Sequence, residues 1–547
     1  MGGHSLMRDQ LEQEAAMELY RELTHDDPHR RSARGRGASP TKDEGDLFTL
    51  RPSPRKLRIL IDIEAWTADH PFIDELLHGF MRYENIEVLQ VRMSQVKLTD
   101  HEDSHEVGFV RVRDVTEHKG SFSYPGSCYG WSIDTERPKF DGSKTLGQRG
   151  SISPQPELFR SLAAYNSFSD EQREGITADD IERAVLLTEI ARAIDYDLII
   201  SETKTTGRRD VPANDRSNVV TRADALPIIA HYMRRQQIYV INPIGRGTIN
   251  RKGYYMETVA ALAPGIWHWL AKCRRSALFV PSSRRFVADC ESLIDRLARA
   301  LRARDELIAS VGALQTDDVI DDGADALDHV LVSLCGAVDV LGRSLHTALQ
   351  ISGHERNAKL HRLDGYRKLM SFYADVANKD LLDALQKHLA VVFSLRNSIH
   401  SRTLAAIASL TVSEHGLSAL SASRLDLVIP PETVDSVRDE SGGGLEYWHA
   451  RELGGSGHLV ADLSRLLDTC FSSVLRFLDQ LCRIIAAEWT LDKDPVLRED
   501  IIGADSTLSG YGRELRIFIG MPQNGDLDGA STEASETDIA SGASPSR

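Results

Sequence analysis

Residues 57–63 constrain the fold most, because they form the most apolar strand pattern of the chain, with two acidic residues, Asp62 and Glu64, at its end. An amphipathic helix pattern follows, and a second strand pattern occupies residues 86–91. Two strands joined by a helix over this length form a βαβ unit, whose strands run parallel. The sequence therefore predicts that a parallel α/β sheet begins at residue 57.

Later segments continue this pattern. In chain order we predict a strand at 107–112, a helix at 178–194 capped by Thr177 or Asp179, a strand at 196–202, a helix at 221–236 and a strand at 238–241. Ligands of parallel sheets bind beyond the carboxyl ends of the strands. We therefore expect Asp62, Glu64 and Glu202 to converge on one edge, if the strands that carry them are neighbours.

The order of these acidic residues resembles that of PIN-domain nucleases, in which an Asp ends the first strand and a later acidic helix leads to a strand that ends in another acid. The matching residues here are Asp62, then Glu189 or Glu182 on the helix, then Glu202, where the family usually has Asp. The resemblance implies that Asp62, Glu189 and Glu202 hold Mg²⁺ or Mn²⁺, which would polarise a phosphate and activate water.

The second half of the chain has a helical pattern. Apolar residues repeat at spacings of three and four at Leu327, Leu331, Leu334, Val338, Leu341, Leu345 and Leu349. Such a repeat is typical of a bundle helix that packs along a seam. Further helices are predicted at 355–376, 378–409 and 457–488, and a β-containing insertion at 410–455.

The predicted fold class is therefore α/β plus all-α, with a parallel-sheet domain followed by a helical bundle. We divide the chain into a short helix and disordered linker at 1–56, the α/β domain at 57–275, a helical connector at 276–320, the bundle at 321–490, and a C-terminal segment at 491–547 with a strand at 515–519 and a disordered acidic tail. Helices are predicted at 254–273 and 283–314, and the pair Pro264-Gly265 predicts a kink within the first of them.

One short motif stands out in the helix at 378–409. Arg396, Asn397 and His400 lie within about one turn, and Arg396 continues an apolar series that includes Leu389 and Val392. Arg396 and His400 are four residues apart, which places them on one side of a helix. An Arg in that position lies in a cleft or interface, where it needs an anion or a partner.

This motif resembles that of the HEPN family of RNA-cleaving and RNA-binding helical domains, over roughly residues 320–490. The family has an Arg, usually a polar residue next, and a His after four to six intervening residues, whereas three residues intervene here. The resemblance implies that Arg396, Asn397 and His400 are catalytic, that Asp339 supports them, and that two chains form a homodimer. It implies metal-independent cleavage, in which His400 transfers the proton and Arg396 stabilises the phosphate.

Composition restricts the setting. The chain has 547 residues, a net charge of −16 and six scattered cysteines without a CxxC pair. No apolar run approaches the ~18 residues that cross a bilayer, so we expect a cytoplasmic protein without membrane contact. The negative charge argues against adhesion to nucleic acid by the whole surface but not against a local basic groove. Reduced core cysteines are expected.

The sequence thus favours an RNA-directed protein, a ribonuclease of a prokaryotic defence, toxin or stress system. The alternative is a non-catalytic RNA- or protein-binding scaffold with degenerate sites. A nucleotide-binding α/β enzyme ranks last, because the sequence contains no phosphate-binding loop.

Overall fold

The chain divides into two compact units, whose described parts fall within residues 33–248 together with 516–547, and within 249–515. The structure, a computed structural model, describes residues 55–66, 70–92, 108–118, 128–138, 144–152, 155–206, 208, 211, 218–279, 284–311, 317–373, 379–399, 404–412, 420–453, 457–488 and 509–523. The first unit is α/β and the second is mostly helical, as predicted. The second begins at residue 249, whereas the sequence placed the end of the α/β domain at 275.

The α/β unit is built on a seven-stranded sheet with the order β5-β4-β3-β2-β1-β6-β7. Its strands are β1 Leu57–Asp62, β2 Ile86–Arg92, β3 Gly108–His118, β4 Cys128–Pro138, β5 Lys144–Ile152, β6 Leu198–Ile200 and β7 Asn218–Val220. Strands β3, β2, β1, β6 and β7 pair in parallel, whereas β4 and β5 add an antiparallel edge. The predicted parallel sheet is therefore present, with β1 at its centre.

Helices connect these strands. They are α1 Pro71–Met81, α2 Gln155–Ser167, α3 Asp170–Arg173, α4 Ala178–Ile194 and α5 Arg222–Arg235. Side chains of β1 alternate between the two faces of the sheet, so Ile59 joins the core that includes α1 and α5, whereas Leu60 joins the core that includes α4. The predicted strand at 238–241 forms as β8 Tyr239–Asn242, but it pairs only with β9 Gly247–Ile249 and not with the main sheet.

Thr177 is the residue that caps α4. Its hydroxyl accepts from the Asp180 backbone N–H at 3.2 Å, and the Asp180 carboxylate accepts from the Thr177 N–H at 2.8 Å. This capping box satisfies two backbone donors that the first turn leaves without partners. Of the two predicted caps, the structure selects Thr177 over Asp179.

The helical unit contains most of the long helices. They are α6 Arg251–Leu262, α7 Pro264–Phe279, α8 Arg284–Val311, α9 Asp317–Ala348, α10 Leu363–Met370, α11 Lys379–Ser398, α12 Pro431–Arg438, α13 Gly444–Tyr447 and α14 Leu463–Glu488. At Pro264 the chain does not kink but starts a new helix, because Ala263 leaves the helical conformation. Helix α9 runs without a break through the domain boundary that was predicted at residue 320.

A four-stranded antiparallel sheet interrupts the helices. Its strands, in the order β10-β11-β13-β12, are β10 Ala406–Val412, β11 Leu420–Val428, β13 Leu459–Asp462 and β12 Ala450–Glu452. The sheet extends beyond the predicted insertion at both ends. The predicted helix 378–409 is therefore too long: it ends at Ser398, because residues 406–412 pair with β11 instead.

The strand predicted at 515–519 is wrong, because this segment belongs to a helix, α15 Gly512–Phe518. Taken alone, the apolar residues of this segment alternate as they do in a strand. The structure, however, buries two consecutive residues, Ile517 and Phe518, as is typical of a helix that docks in a core. Phe518 meets Phe80 edge-to-face with 5.1 Å between ring centroids, and Arg234 donates to the Phe518 carbonyl at 2.9 Å. Arg234 thereby satisfies a carbonyl that the helix end leaves without a partner.

Among the described helices, none has both the length and the apolar content to cross a membrane. The five cysteines whose side chains are described are buried free thiols, as the sequence predicted for core cysteines: Cys273, Cys290, Cys335, Cys470 and Cys482.

Candidate functional site

The acidic edge of the parallel sheet is organised around Asp62, which is only 1% exposed. Arg183 on α4 donates from Nε to Asp62 Oδ2 at 2.9 Å, and a second guanidinium nitrogen donates to the other carboxylate oxygen. The Ser201 hydroxyl adds a hydrogen bond of 3.0 Å, and Arg183 also reaches Glu64 at 3.1 Å. A planar guanidinium suits such a two-point contact with a carboxylate. Asp62 is thus held by an arginine.

The other predicted metal ligands have arginine partners of their own. Glu202 accepts from Arg222 Nε at 2.9 Å, and Glu189 accepts from Arg192 at 2.7 Å. No group of three or more His, Cys, Asp or Glu side chains in the described part of the chain is placed to hold a metal ion. The structure therefore does not assemble the predicted set of Asp62, Glu189 and Glu202, because each carboxylate faces a different arginine.

In the helical unit, Arg396 and Asn397 lie on a helix, as predicted, but they occupy the last turn of α11 and not the interior of a longer helix. Arg396 Nη1 donates to Asn397 Oδ1 at 3.1 Å, whereas its Nε is buried without an acceptor among the described residues. His400 lies outside the described residues. Helix α11 ends at Ser398, and the expectation that Arg396 and His400 share one side of a helix stays a prediction.

A different histidine, His361, lies beside the motif. Its ring stacks on Phe393 of α11 with 3.7 Å between centroids and an angle of 14° between the planes. Its backbone carbonyl accepts from Gln386 of the same helix at 2.9 Å, which fixes the connector between α9 and α10 against α11. Its Nδ1 is buried and has no partner in the described part of the chain.

The surroundings of His361 disfavour its charged form. Burial lowers its pKa to about 4, and the positive charges of Arg362, Lys359 and Arg396 act in the same direction. At neutral pH the ring is therefore uncharged and one of its nitrogens is an acceptor. The effect of Arg396 shows that residues 361 and 396, far apart in sequence, belong to one electrostatic site.

Asp339, the predicted supporting acid, belongs to the same region. Burial raises the pKa of its carboxyl group, while Arg343, Arg396, Lys359 and Arg296 lower it by a smaller amount. The charge of Arg396 thus acts on Asp339, although no ion pair joins them in the described part of the chain, and the supporting role of Asp339 stays a prediction. Positive side chains outnumber the carboxylate here.

An open groove of about 570 Å³ lies beside His361 and Asn397. It is lined by His361, Arg362, Ala390, Phe393, Ser394, Asn397, Ser398 and Glu432. The wall offers an uncharged imidazole, an amide, hydroxyl groups, the guanidinium of Arg362 and one carboxylate, that of Glu432. Such a set suits an anion that also carries a hydroxyl or base to be recognised.

Sequence reasoning found Arg396, Asn397 and Asp339 but missed His361. The reason is that residues 354–362 form a polar connector without a periodic pattern, so nothing local places the ring against α11. A usable signal was the group of four basic or imidazole residues from Arg356 to Arg362, in the segment that precedes the helix of Arg396.

No protein-family model matches the chain, and neither a curated protein nor a solved structure shows significant similarity to it.

Proposed function

We propose that the helical unit is an RNA-directed module that binds phosphate groups in the groove beside His361 and Arg396 and cleaves RNA without a metal ion. The observation that carries this proposal is the groove lined by His361, Arg362 and Asn397, where the His361 ring stacks on Phe393 at 3.7 Å and its buried Nδ1 has no partner among the described residues. The resemblance to HEPN domains supplies the class of substrate. The homodimer and the defence role that accompany that resemblance are parts of the same proposal.

In this mechanism the groove binds the scissile phosphate and the neighbouring ribose. Uncharged His361 accepts the proton of the 2′-hydroxyl, whose oxygen bonds to phosphorus to give a 2′,3′-cyclic phosphate. The bond from phosphorus to the 5′-oxygen breaks, and that oxygen leaves as a hydroxyl after it takes a proton from water. Arg396 stabilises the negative charge that develops on the phosphate, and Asn397 orients a phosphate oxygen. The resemblance gives the proton-transfer role to His400, so both histidines belong in the test.

The low pKa of His361 also favours a second candidate function, RNA binding without cleavage. A base with a pKa of about 4 binds a proton weakly at neutral pH. A bound phosphate raises this pKa, because its negative charge stabilises the imidazolium. Cleavage therefore requires that the phosphate shift the pKa of His361 far enough, and binding does not.

The test is cleavage and binding of a mixed single-stranded and structured RNA pool by the full chain, with EDTA and with Mn²⁺. The variants are Arg396→Gln, His361→Gln and His400→Ala, and Asp62→Asn represents the α/β unit. Cleavage in EDTA that is lost in Arg396→Gln and in at least one histidine variant is the expected result. Binding that depends on Arg396, without cleavage, would select the second candidate. Cleavage that needs Mn²⁺ and is lost only in Asp62→Asn would overturn both.

A further inference from the structure

A second group of positive side chains extends from the groove across helices α8, α9 and α11. This cationic cluster consists of Arg296, Arg343, Lys359 and Arg396, whose positive charges all act on the Asp339 carboxyl group. The four side chains come from four segments of the chain, and Arg343 acts also on the carboxyl group of Asp289. In the described part of the chain, none of the four forms an ion pair with a carboxylate within 4 Å.

Contacts between the helices build this cluster. Gly336 has no side chain, which lets the Arg296 guanidinium lie against α9: a Cβ at that position would collide with Nη1 and would lie 3.2 Å from Cζ. One turn later, Arg343 Nε donates to the backbone carbonyl of Asp339 at 3.2 Å. The Arg296 Nε is buried and has no acceptor among the described residues.

The other two members are positioned by neighbouring contacts. A Cβ on Gly342 would lie 2.5 Å from the Ala358 carbonyl oxygen, so the connector that carries Lys359 runs directly over α9. The Cys335 thiol lies 4.0 Å from the Val392 carbonyl oxygen, which joins α9 to α11 one turn before Asp339 and Arg396. These two contacts bring Lys359 and Arg396 to the same part of α9 as Arg296.

We infer that the cationic cluster is a second phosphate subsite, which holds the phosphate next to the one in the His361 groove on the same RNA strand. This inference rests on the proposed function and adds that the site recognises a strand of at least two phosphates. Asn397 lines the groove and accepts from Arg396 Nη1 at 3.1 Å, so Arg396 of the cluster adjoins the groove. Donors of a guanidinium that lack a protein acceptor are satisfied by phosphate oxygens, which accept two parallel hydrogen bonds.

Gly336→Ala tests the subsite without a change in charge. The new methyl group displaces the Arg296 guanidinium, whereas alanine favours the helix more than glycine does, so the variant should remain folded. Gly323→Ala on the same helix is the matched control, because its nearest neighbour is Leu425 at 3.3 Å and no cation lies beside it. Arg296→Gln removes the positive charge itself.

The experiment measures the Kd of the full chain for a labelled single-stranded oligouridylate and for pyrophosphate, over a range of salt concentrations. We expect Arg296→Gln and Gly336→Ala to weaken oligouridylate binding about tenfold, since charge-assisted hydrogen bonds are lost. Arg296→Gln should also reduce the salt dependence by about 0.7, the value for one phosphate contact on a single strand. Gly323→Ala should bind as the unaltered chain does.

Other outcomes separate the claims. If Arg396→Gln loses oligouridylate binding while Arg296→Gln and Gly336→Ala retain it, the proposed function stands and the second subsite is refuted. If oligouridylate binding depends on Arg296 but RNA is not cleaved, the subsite stands and the cleavage mechanism fails. If pyrophosphate binds as tightly as oligouridylate and with the same dependence on Arg296, the cluster serves a free anion and the inference of an RNA strand is wrong.

Discussion

The acidic edge of the α/β unit and the cationic cluster of the helical unit contain the same kinds of side chain but differ in how their charges are paired. At the edge, Asp62 and Glu202 each have an arginine within 3 Å. In the cluster, Arg296 and Arg396 both keep a buried Nε without an acceptor among the described residues. A charged residue in a cleft therefore indicates a ligand only where the fold has not already supplied its partner.

This difference assigns separate roles to the two regions. Asp62 is buried and its oxygens are occupied, so it stabilises the fold. Arg296 and Arg396 each keep a buried Nε without an acceptor among the described residues, at a cost in desolvation that a bound anion would offset. Each of the following predictions concerns a substitution in one of these two regions.

The largest effect is expected when the partner of the buried carboxylate is removed. Arg183→Ala leaves Asp62 charged, buried and without its main partner, and such a change costs about 3–5 kcal/mol. Unfolding in urea, followed by circular dichroism, should show the α/β unit unfolding at a lower concentration. The control is Arg192→Ala, whose ion pair with Glu189 is half-exposed and is worth about 0–1 kcal/mol. Equal effects of the two changes would mean that Asp62 does not depend on Arg183.

The next effect concerns pH and His361. An unfolded histidine binds a proton near its ordinary pKa of 6.5, whereas folding lowers the pKa of His361 to about 4. Between these values the unfolded chain binds more protons, so the free energy of unfolding should fall as the pH decreases from 6.5 to 4, by up to about 3 kcal/mol.

The measurement is the difference in urea stability between the unaltered chain and His361→Gln, at several pH values between 4 and 7. The difference between the two stabilities contains no contribution from the carboxylates, because these titrate in both proteins. Parallel stability curves over this pH range would show that His361 takes up a proton as readily in the folded chain as in the unfolded one.

A smaller effect is expected when Arg396 is given a carboxylate partner, as the arginines of the acidic edge have. In Asn397→Asp, a carboxylate replaces the amide oxygen that accepts from Arg396 at 3.1 Å. This ion pair should change the stability by less than about 1 kcal/mol, because Asn397 is exposed. It should nevertheless weaken RNA binding about tenfold, since its negative charge offsets that of Arg396 and repels phosphate.

Filter binding or fluorescence anisotropy measures this loss, and Asn397→Ser provides the control for removal of the amide without a new charge. The contrast between the regions would be weakened if Asn397→Asp and Asn397→Ser bound RNA with equal affinity.

The features of the fold that could be predicted from the sequence are local. The apolar run at 57–63 and the repeat that begins at Leu327 each formed the expected element, because their burial patterns depend on neighbours along the chain. The helix end at Ser398 was missed, since pairing with β11 determines the conformation of residues 406–412. The segment at 515–519 was misread because docking in the core, and not its own period, determines its conformation.

The candidate site divides in the same way. Arg396 and Asn397 could be identified because a charged residue interrupts an apolar series within one helix. The contact of Arg183 with Asp62 spans 121 residues, and that of Phe393 with His361 joins a helix to an irregular connector. Neither leaves a local signal, so the metal ligands were assigned without their arginines and the histidine of the groove was not assigned.

The most direct test of the account is to locate RNA on the protein without reliance on activity. The full chain would be irradiated with a single-stranded RNA that contains 4-thiouridine, and the crosslinked peptides would be identified by mass spectrometry. We predict crosslinks in the peptides that contain His361, Phe393 and Asn397, and their loss in Arg396→Gln. Crosslinks at residues 62–66 or 201–206 that persist in Arg396→Gln would contradict the account, because RNA would then meet the acidic edge.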